Sequence, residues 1–164
     1  MMAARVSTVA FQGIDVVPVD VQVHIGGGLT TFVIVGLPDK AVNENRERVR
    51  SALEALGLSL PPQRVTANLA PADLLKEGSH FDLPIALALL VAIEVLSPDD
   101  VTDFVALGEL GLDGSLAPVA GVLPAAMGAV GMGRGIVCPA GNGGEAAWAG
   151  DLEVLAAPNL LSLI

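Results

Sequence analysis

Polar and apolar positions alternate along VVPVDVQVHI, where Asp20, Gln22 and His24 interleave with Val19, Val21, Val23 and Ile25. A period of two sorts side chains onto opposite faces of a strand, which predicts a strand over 14–25 with one apolar and one polar face. The run 5–11 before Gly13 and the β-branched run 30–35 predict two more strands. The pattern then changes period. Val42, Val49, Leu53 and Leu56, joined by Ala52, fall on one helical stripe between Pro38, suited to a helix start, and Gly57, suited to its end.

Arg64 to Leu69 reads as a fourth strand, closed by Asn68 and Ala70-Pro71. A polar loop follows, with Asp73, Lys76, Glu77, Gly78, Ser79 and His80. Asp82 is placed to cap the next helix, which runs to about Leu96 with almost no polar side. A helix apolar all round is buried between layers. Ser97 to Asp100 opens a short element, and 104–110 reads as one strand. Asp113-Gly114 marks a hairpin returning over 116–119. Small αβ units end the chain: a helix over 121–130, a strand over 136–138, a short helix over 145–148 and a strand over 152–155. The order β-β-β-α-β-α-(α)-β-β-α-β-α-β predicts an α/β (α+β) fold, a mixed sheet with helices on one or both faces.

Composition narrows this picture. The 164 residues, 52% hydrophobic, suit one compact domain with a sizeable core. With four Phe, one Trp and no Tyr, that core is built from aliphatic side chains. A net charge of −10 argues against general nucleic-acid binding and confines any such contact to a local basic face. Lys40, Arg46, Arg48 and Arg50 on the first helix are the candidates for contact with DNA or a partner. The lone Cys138 excludes an internal disulfide and reads as a buried small apolar residue. No apolar run reaches the length of a membrane span and no secretory leader is seen, so the expected location is the cytoplasm, without a membrane partner. The tail LLSLI has neither cap nor polar run-out and is read as a cut at a domain border.

Candidate chemistry is sparse. Ser79 with Lys76 or His80 is the nucleophile–base pairing that the central loop offers, and the Lys76 pair defines a Ser/Lys hydrolase as the alternative reading. Glu77 beside Lys76 favours the protonated amine and weighs against it. A metal site drawn from Asp73, Glu77, His80 and Asp82 has no recognised ligand spacing, and a hydrogen-bonded loop is the simpler reading. Gly26-Gly27-Gly28 lacks the Lys-Ser or Lys-Thr of a phosphate loop.

Three long stretches carry a family resemblance: FVIVGLPDKAVNENRERVRSAL, RVTANLAPADLLKEGSHFDLPIALALL and FVALGELGLDGSLAPVAGVLPAA. They resemble, in order, the N-terminal domain of the YifB/ComM family of magnesium-chelatase-like AAA+ ATPases. The resemblance implies a ribosomal protein S5 domain 2-like fold in its Lon-protease-like version, with residues 1–164 forming a single domain. It implies no cofactor in these residues, with ATP and Mg2+ belonging to an ATPase domain that follows. That C-terminal ATPase domain, further copies in a homo-oligomeric ring, and DNA are the implied partners, in helicase or branch-migration work linked to natural transformation. Lon proteases hold their serine in a loop similar to KEGSHFDLP, where the matching position is Phe81 or Asp82 and Ser79 is out of register. Their lysine position falls at about Ala125, and no Lys or Arg lies between Lys76 and Arg134. The expectation is a protease-like fold without the protease pair, an accessory domain rather than an enzyme. Glu109 and Asp113, flanking the hairpin, are the candidates for a domain or subunit contact.

Overall fold

A computed structural model describes residues 3–164. Two long strands open the chain, β1 (Ala3–Gln12) and β2 (Asp15–Gly26), paired antiparallel from Ala3↔His24 to Gln12↔Asp15. Next come β3 (Thr31–Val35), α1 (Asp39–Ala55) and β4 (Arg64–Ala70). β4 returns antiparallel to β2 and parallel to β3. A 3-10 turn at Ser79–Phe81 leads into α2 (Asp82–Ala92), followed by α3 (Pro98–Thr102) and β5 (Phe104–Ala106). A two-stranded ribbon, β6 (Glu109–Leu110) and β7 (Leu116–Ala117), stands apart. The chain ends through α4 (Val122–Gly131), β8 (Gly135–Pro139), α5 (Gly143–Ala147) and β9 (Val154–Ala157).

The main sheet runs β3-β4-β2-β1-β5-β8-β9. Its first half is mainly antiparallel, while β1, β5, β8 and β9 are parallel. This is the mixed α/β sheet packed with helices that the element order predicts, consistent with a Lon-protease-like, S5 domain 2-like architecture. One core lies between the sheet and the α1–α2 side, drawing on Val21, Leu69, Leu53 and nearly all of α2. A second lies under α4 and α5, around Val9, Ile136 and Cys138. The predicted burial of Cys138 holds, and burial pushes its thiol up to about 11.

Two predicted boundaries shift, each through a packing or backbone contact. The buried helix stops at Ala92 rather than near Leu96, because Glu94 takes a left-handed φ of 64° and the amides of Val95 and Leu96 fold back onto the Leu90 carbonyl. That turn tucks Val95 and Leu96 against the first core. The run 104–110 is two strands. At Gly108 the chain leaves the sheet, its amide donating to the His80 carbonyl and its carbonyl accepting from the Leu83 amide. A Cβ there would meet Leu83, Leu116 and Pro139 at 3.3 Å. The short element read as opening at Ser97 to Asp100 is α3, which starts with a full capping box between those two residues.

One glycine sets the approach of α1 to the sheet. Gly36 has φ 103°, and a Cβ would lie 2.5 Å from the Leu69 carbonyl oxygen of β4. Only glycine lets β3 turn into α1 this close to its neighbour strand.

Candidate functional site

α1, the loop before α2 and the β6–β7 ribbon meet around one carboxylate. Asp82 is fully buried. Its Oδ1 accepts from Asn45 Nδ2 at 2.5 Å and Arg48 Nη2 at 3.1 Å. Its Oδ2 accepts from Arg48 Nε at 2.6 Å and the Leu110 amide at 3.0 Å. This corrects the reading of Asp82 as a helix cap: no side chain caps α2, and Asp82 is its first residue. An isolated buried carboxylate is costly, so the four donors explain how it can sit there. Burial pushes the carboxyl above its ordinary value, opposed chiefly by the hydrogen bond from Arg48. The same bond holds the Arg48 guanidinium in its charged form.

The candidate basic face separates into three environments. Arg48 turns inward to Asp82, with Glu44 at 3.9 Å on its outer side. Arg46 lies against the edge of the sheet, donating to the Asn43 side chain at 2.8 Å and, at 3.4 Å, to the Phe32 carbonyl of β3. Arg50 borders a pocket of about 250 Å³ with Thr30, Phe32 and Leu53. Lys40 lies on a groove of about 370 Å³ between α1 and the loop at Lys76 to Ser79. The structure does not bring the three arginines onto one face.

The Ser/Lys pairing is not formed either. Lys76 is not a solvated loop residue. It is buried, and its Nζ donates to the carbonyls of Pro71 at 2.5 Å and Leu74 at 3.0 Å. Burial lowers its pKa from the usual lysine value, partly offset by Asp73, so the expectation drawn from Glu77 is replaced. Ser79 Oγ instead donates to the Glu109 carboxylate of the ribbon. Ala125, at the position matching the protease lysine, is packed in the second core. Glu109 and Asp113 part company: Glu109 faces Ser79, while Asp113 is at the exposed ribbon tip, accepting from the Ser115 amide and hydroxyl. Those bonds lower the Asp113 pKa. Among the described residues, no three His, Cys, Asp or Glu side chains gather as a metal site, so Asp73, Glu77, His80 and Asp82 do not form one.

His80 anchors the loop to the sheet. Its Nε2 lies 2.7 Å from the Val9 carbonyl and must carry the proton to donate to it. The ring sits between Phe11 and Phe81, with centroids 5.2 and 4.1 Å away. Burial lowers its pKa from the ordinary 6.5, the Val9 bond opposing. As pH falls through about 6.5, the unfolded chain therefore takes up a proton that the folded chain resists. The His80 contribution to stability is complete above that value and declines below it. Urea midpoints at about pH 7.5 and 5.5 should drop more in the wild type than in His80→Gln; equal drops would show that His80 does not titrate the fold.

Sequence reasoning missed Asn45 as a partner of Asp82. The signal was there: Asn45 is three residues after Val42 and four before Val49, a polar residue inside an apolar stripe. It is buried, and its Oδ1 has no hydrogen-bond partner among the described residues. The whole constellation binds chain segments to each other, with Ser79 joined to Glu109 and Lys76 to backbone carbonyls.

Comparison with known proteins agrees with the three sequence stretches. A family model described as subunit ChlI of Mg-chelatase matches residues 21–142. The YifB protein of Salmonella typhimurium is 43% identical over 145 residues, 88% of this chain and 29% of its own length. The YifB protein of Escherichia coli matches to the same extent. The competence protein ComM of Haemophilus influenzae is 40% identical over 164 residues, the whole of this chain and 32% of its own length. The chain thus spans about a third of the length of the curated relatives it matches. No helix among the described residues is long and apolar enough to cross a membrane. With a matching family model over most of its length and two-fifths identity to these relatives, the chain belongs to the YifB/ComM family of proteins related to the ChlI subunit of Mg-chelatase.

Proposed function

We propose that this chain is a non-catalytic accessory domain of a magnesium-chelatase-like AAA+ ATPase that processes DNA, as a helicase or branch-migration motor in natural transformation. In this reading it supports assembly of a cytoplasmic homo-oligomeric ring, contacts DNA, or does both. ATP and Mg2+ act in a following ATPase domain. The observation that carries the reading is the state of the central loop. Ser79 is engaged by Glu109, Lys76 by two carbonyls and Asp82 by Arg48, so the groups a hydrolase would need maintain the fold. The ribbon tip, with Asp113 beside exposed Leu112, is the proposed subunit contact.

The test uses the full-length polypeptide with and without residues 1–164. Deletion should lower DNA-stimulated ATP hydrolysis or oligomer size while leaving ATP binding in place. Asp113→Lys in the same oligomer assay should reduce ring size if the tip is the contact. On the chain itself, peptide hydrolysis should be undetectable. A peptidase activity abolished by Ser79→Ala would establish the hydrolase alternative instead.

A further inference from the structure

One face of the main sheet is sealed and the other only half so. α2 packs on β1 and β2, and α1 borders β3, closing the first core. On the opposite face, α4 and α5 serve β5, β8 and β9 and reach β1 at Val9. α4 also touches the start of β2 at Val16, but among the described residues no helix packs over the rest of β2 or over β3 and β4 on this face. Its outward positions are half-buried or exposed, as in Gln22 and His24 of β2 and Thr66 and Asn68 of β4, while the alternate positions from Val19 to Ile25 and along β4 are buried. The period-two pattern of β2 therefore presents an open polar sheet face.

The cations of an acidic chain collect there. Of eight Lys and Arg, Arg48 and Lys76 are turned inward and three others are on α1. The remaining three, Arg5, Arg64 and Arg134, all border the open face. Strand register fixes their order. Arg134 donates to Ser7, opposite Asp20; Arg5 is opposite Gln22; His24 follows; and Arg64 is opposite Gly26. Each step is two residues, about 7 Å along the strand, so the four groups form a diagonal of about 20 Å across neighbouring strands. Asp20 is the one carboxylate that the outward positions of β1 to β4 present, and it pairs with Arg5 at 3.5 Å. Among the described residues Arg64 and Arg134 form no ion pair. At the Arg134 end the track opens into a groove of about 650 Å³ that includes Arg5, Ser7 and Thr102.

We propose that this open face, along Arg134, Arg5, His24 and Arg64, is a binding track for the phosphodiester backbone of nucleic acid. Charge complementarity selects the partner: three arginines face one carboxylate on a chain of net charge −10. Among the described residues no Phe or Trp is open on this face, Phe32 being buried in the first core and Phe11 packed against the second, so His24 is the one ring along the track. Thr66, Asn68 and Gln22 add neutral hydrogen-bonding groups. Such a surface holds phosphates and sugars in place without reading sequence. The proposal rests on the DNA-processing reading above and moves its contact from α1 to the sheet.

Fluorescence anisotropy of the 164-residue chain with labelled DNA of about 30 nucleotides, single and duplex, between about 50 and 200 mM salt, tests it. Arg5→Gln with Arg64→Gln should weaken binding at low salt about tenfold and reduce the salt slope by about 0.7–0.9 for each arginine removed. Asp20→Asn should tighten binding several-fold, a gain that misfolding cannot imitate. Lys40→Gln with Arg46→Gln should change affinity less than about twofold. The proposal is overturned if wild-type binding is absent at low salt, if Asp20→Asn brings no gain, or if the α1 pair costs more than the sheet pair. It is also overturned if the sheet variants change oligomer size in the full-length protein and leave DNA affinity intact, which would make the face a protein interface. ATP hydrolysis without DNA should be untouched by the sheet pair, so failure here is distinct from failure of the accessory-domain reading.

Discussion

Arg48→Ala should destabilise the chain by about 3–5 kcal/mol, the largest loss expected from any single charged residue here. The substitution leaves Asp82 fully buried with its cation gone, keeping only Asn45 and the Leu110 amide as donors. Removing one member of a buried pair costs more than the pair contributes, because the orphaned charge cannot regain water. For a domain of this size the loss corresponds to a fall in Tm of roughly 6–20 °C. The reverse change should be milder. In Asp82→Ala the guanidinium, already 22% exposed, can turn to solvent, so the cost is that of unpaired Asn45 and Leu110 groups. Replacing both, as Arg48→Met with Asp82→Leu, should recover much of the loss. Thermal unfolding of the three variants checks this order. If Arg48→Ala and Asp82→Ala cost the same and the double variant costs their sum, the two residues act independently and the buried-pair account fails.

Leu90→Ala should cost about 2–5 kcal/mol. Leu90 is fully buried in α2, a helix whose residues from Asp82 to Val91 are all buried. Most helices can relax toward solvent when a core side chain is trimmed. α2 is enclosed by β1 and β2 on one side and α1 on another, so a cavity has little room to collapse. The Leu90 carbonyl also receives the two amides that end the helix, which holds the backbone in position around the void. A urea midpoint that falls with unchanged m-value is the expected signature. A loss below about 1 kcal/mol would mean that the surroundings repack freely.

Much of the fold is legible where period and side chemistry agree. The alternation in β2 foretold not only a strand but its open polar side, since Asp20, Gln22 and His24 do lie outward. The all-apolar run after Asp82 foretold a helix without a wet face. What escaped the sequence was set by contacts distant along the chain. Nothing in FVALGEL marks Gly108 as the exit from the sheet; the crowding of Leu83, Leu116 and Pro139 does. The arginines were a different matter. Positions two apart on a helix are rotated by about 200°, so Arg46 and Arg48 could not have shared a face with both pointing outward. Helical geometry alone thus set Arg48 apart, although its partner across 34 residues stayed invisible.

The strand nearest the N-terminus, β1, occupies the middle of the sheet and not its edge. Among the described residues it alone joins the β3-β4-β2 half to the β5-β8-β9 half, through one paired position, Ser7↔Val105. Closing that bridge in an unfolded chain means forming a loop of roughly a hundred residues, an entropic cost that grows only as the logarithm of length. Its effect falls on the rate of folding more than on final stability. A ribosome would release β1 well before β5, the strand that completes its pairing. Until then the central strand presents an unpaired edge, and the newly made first half is the stage at which the chain is most open to misassociation.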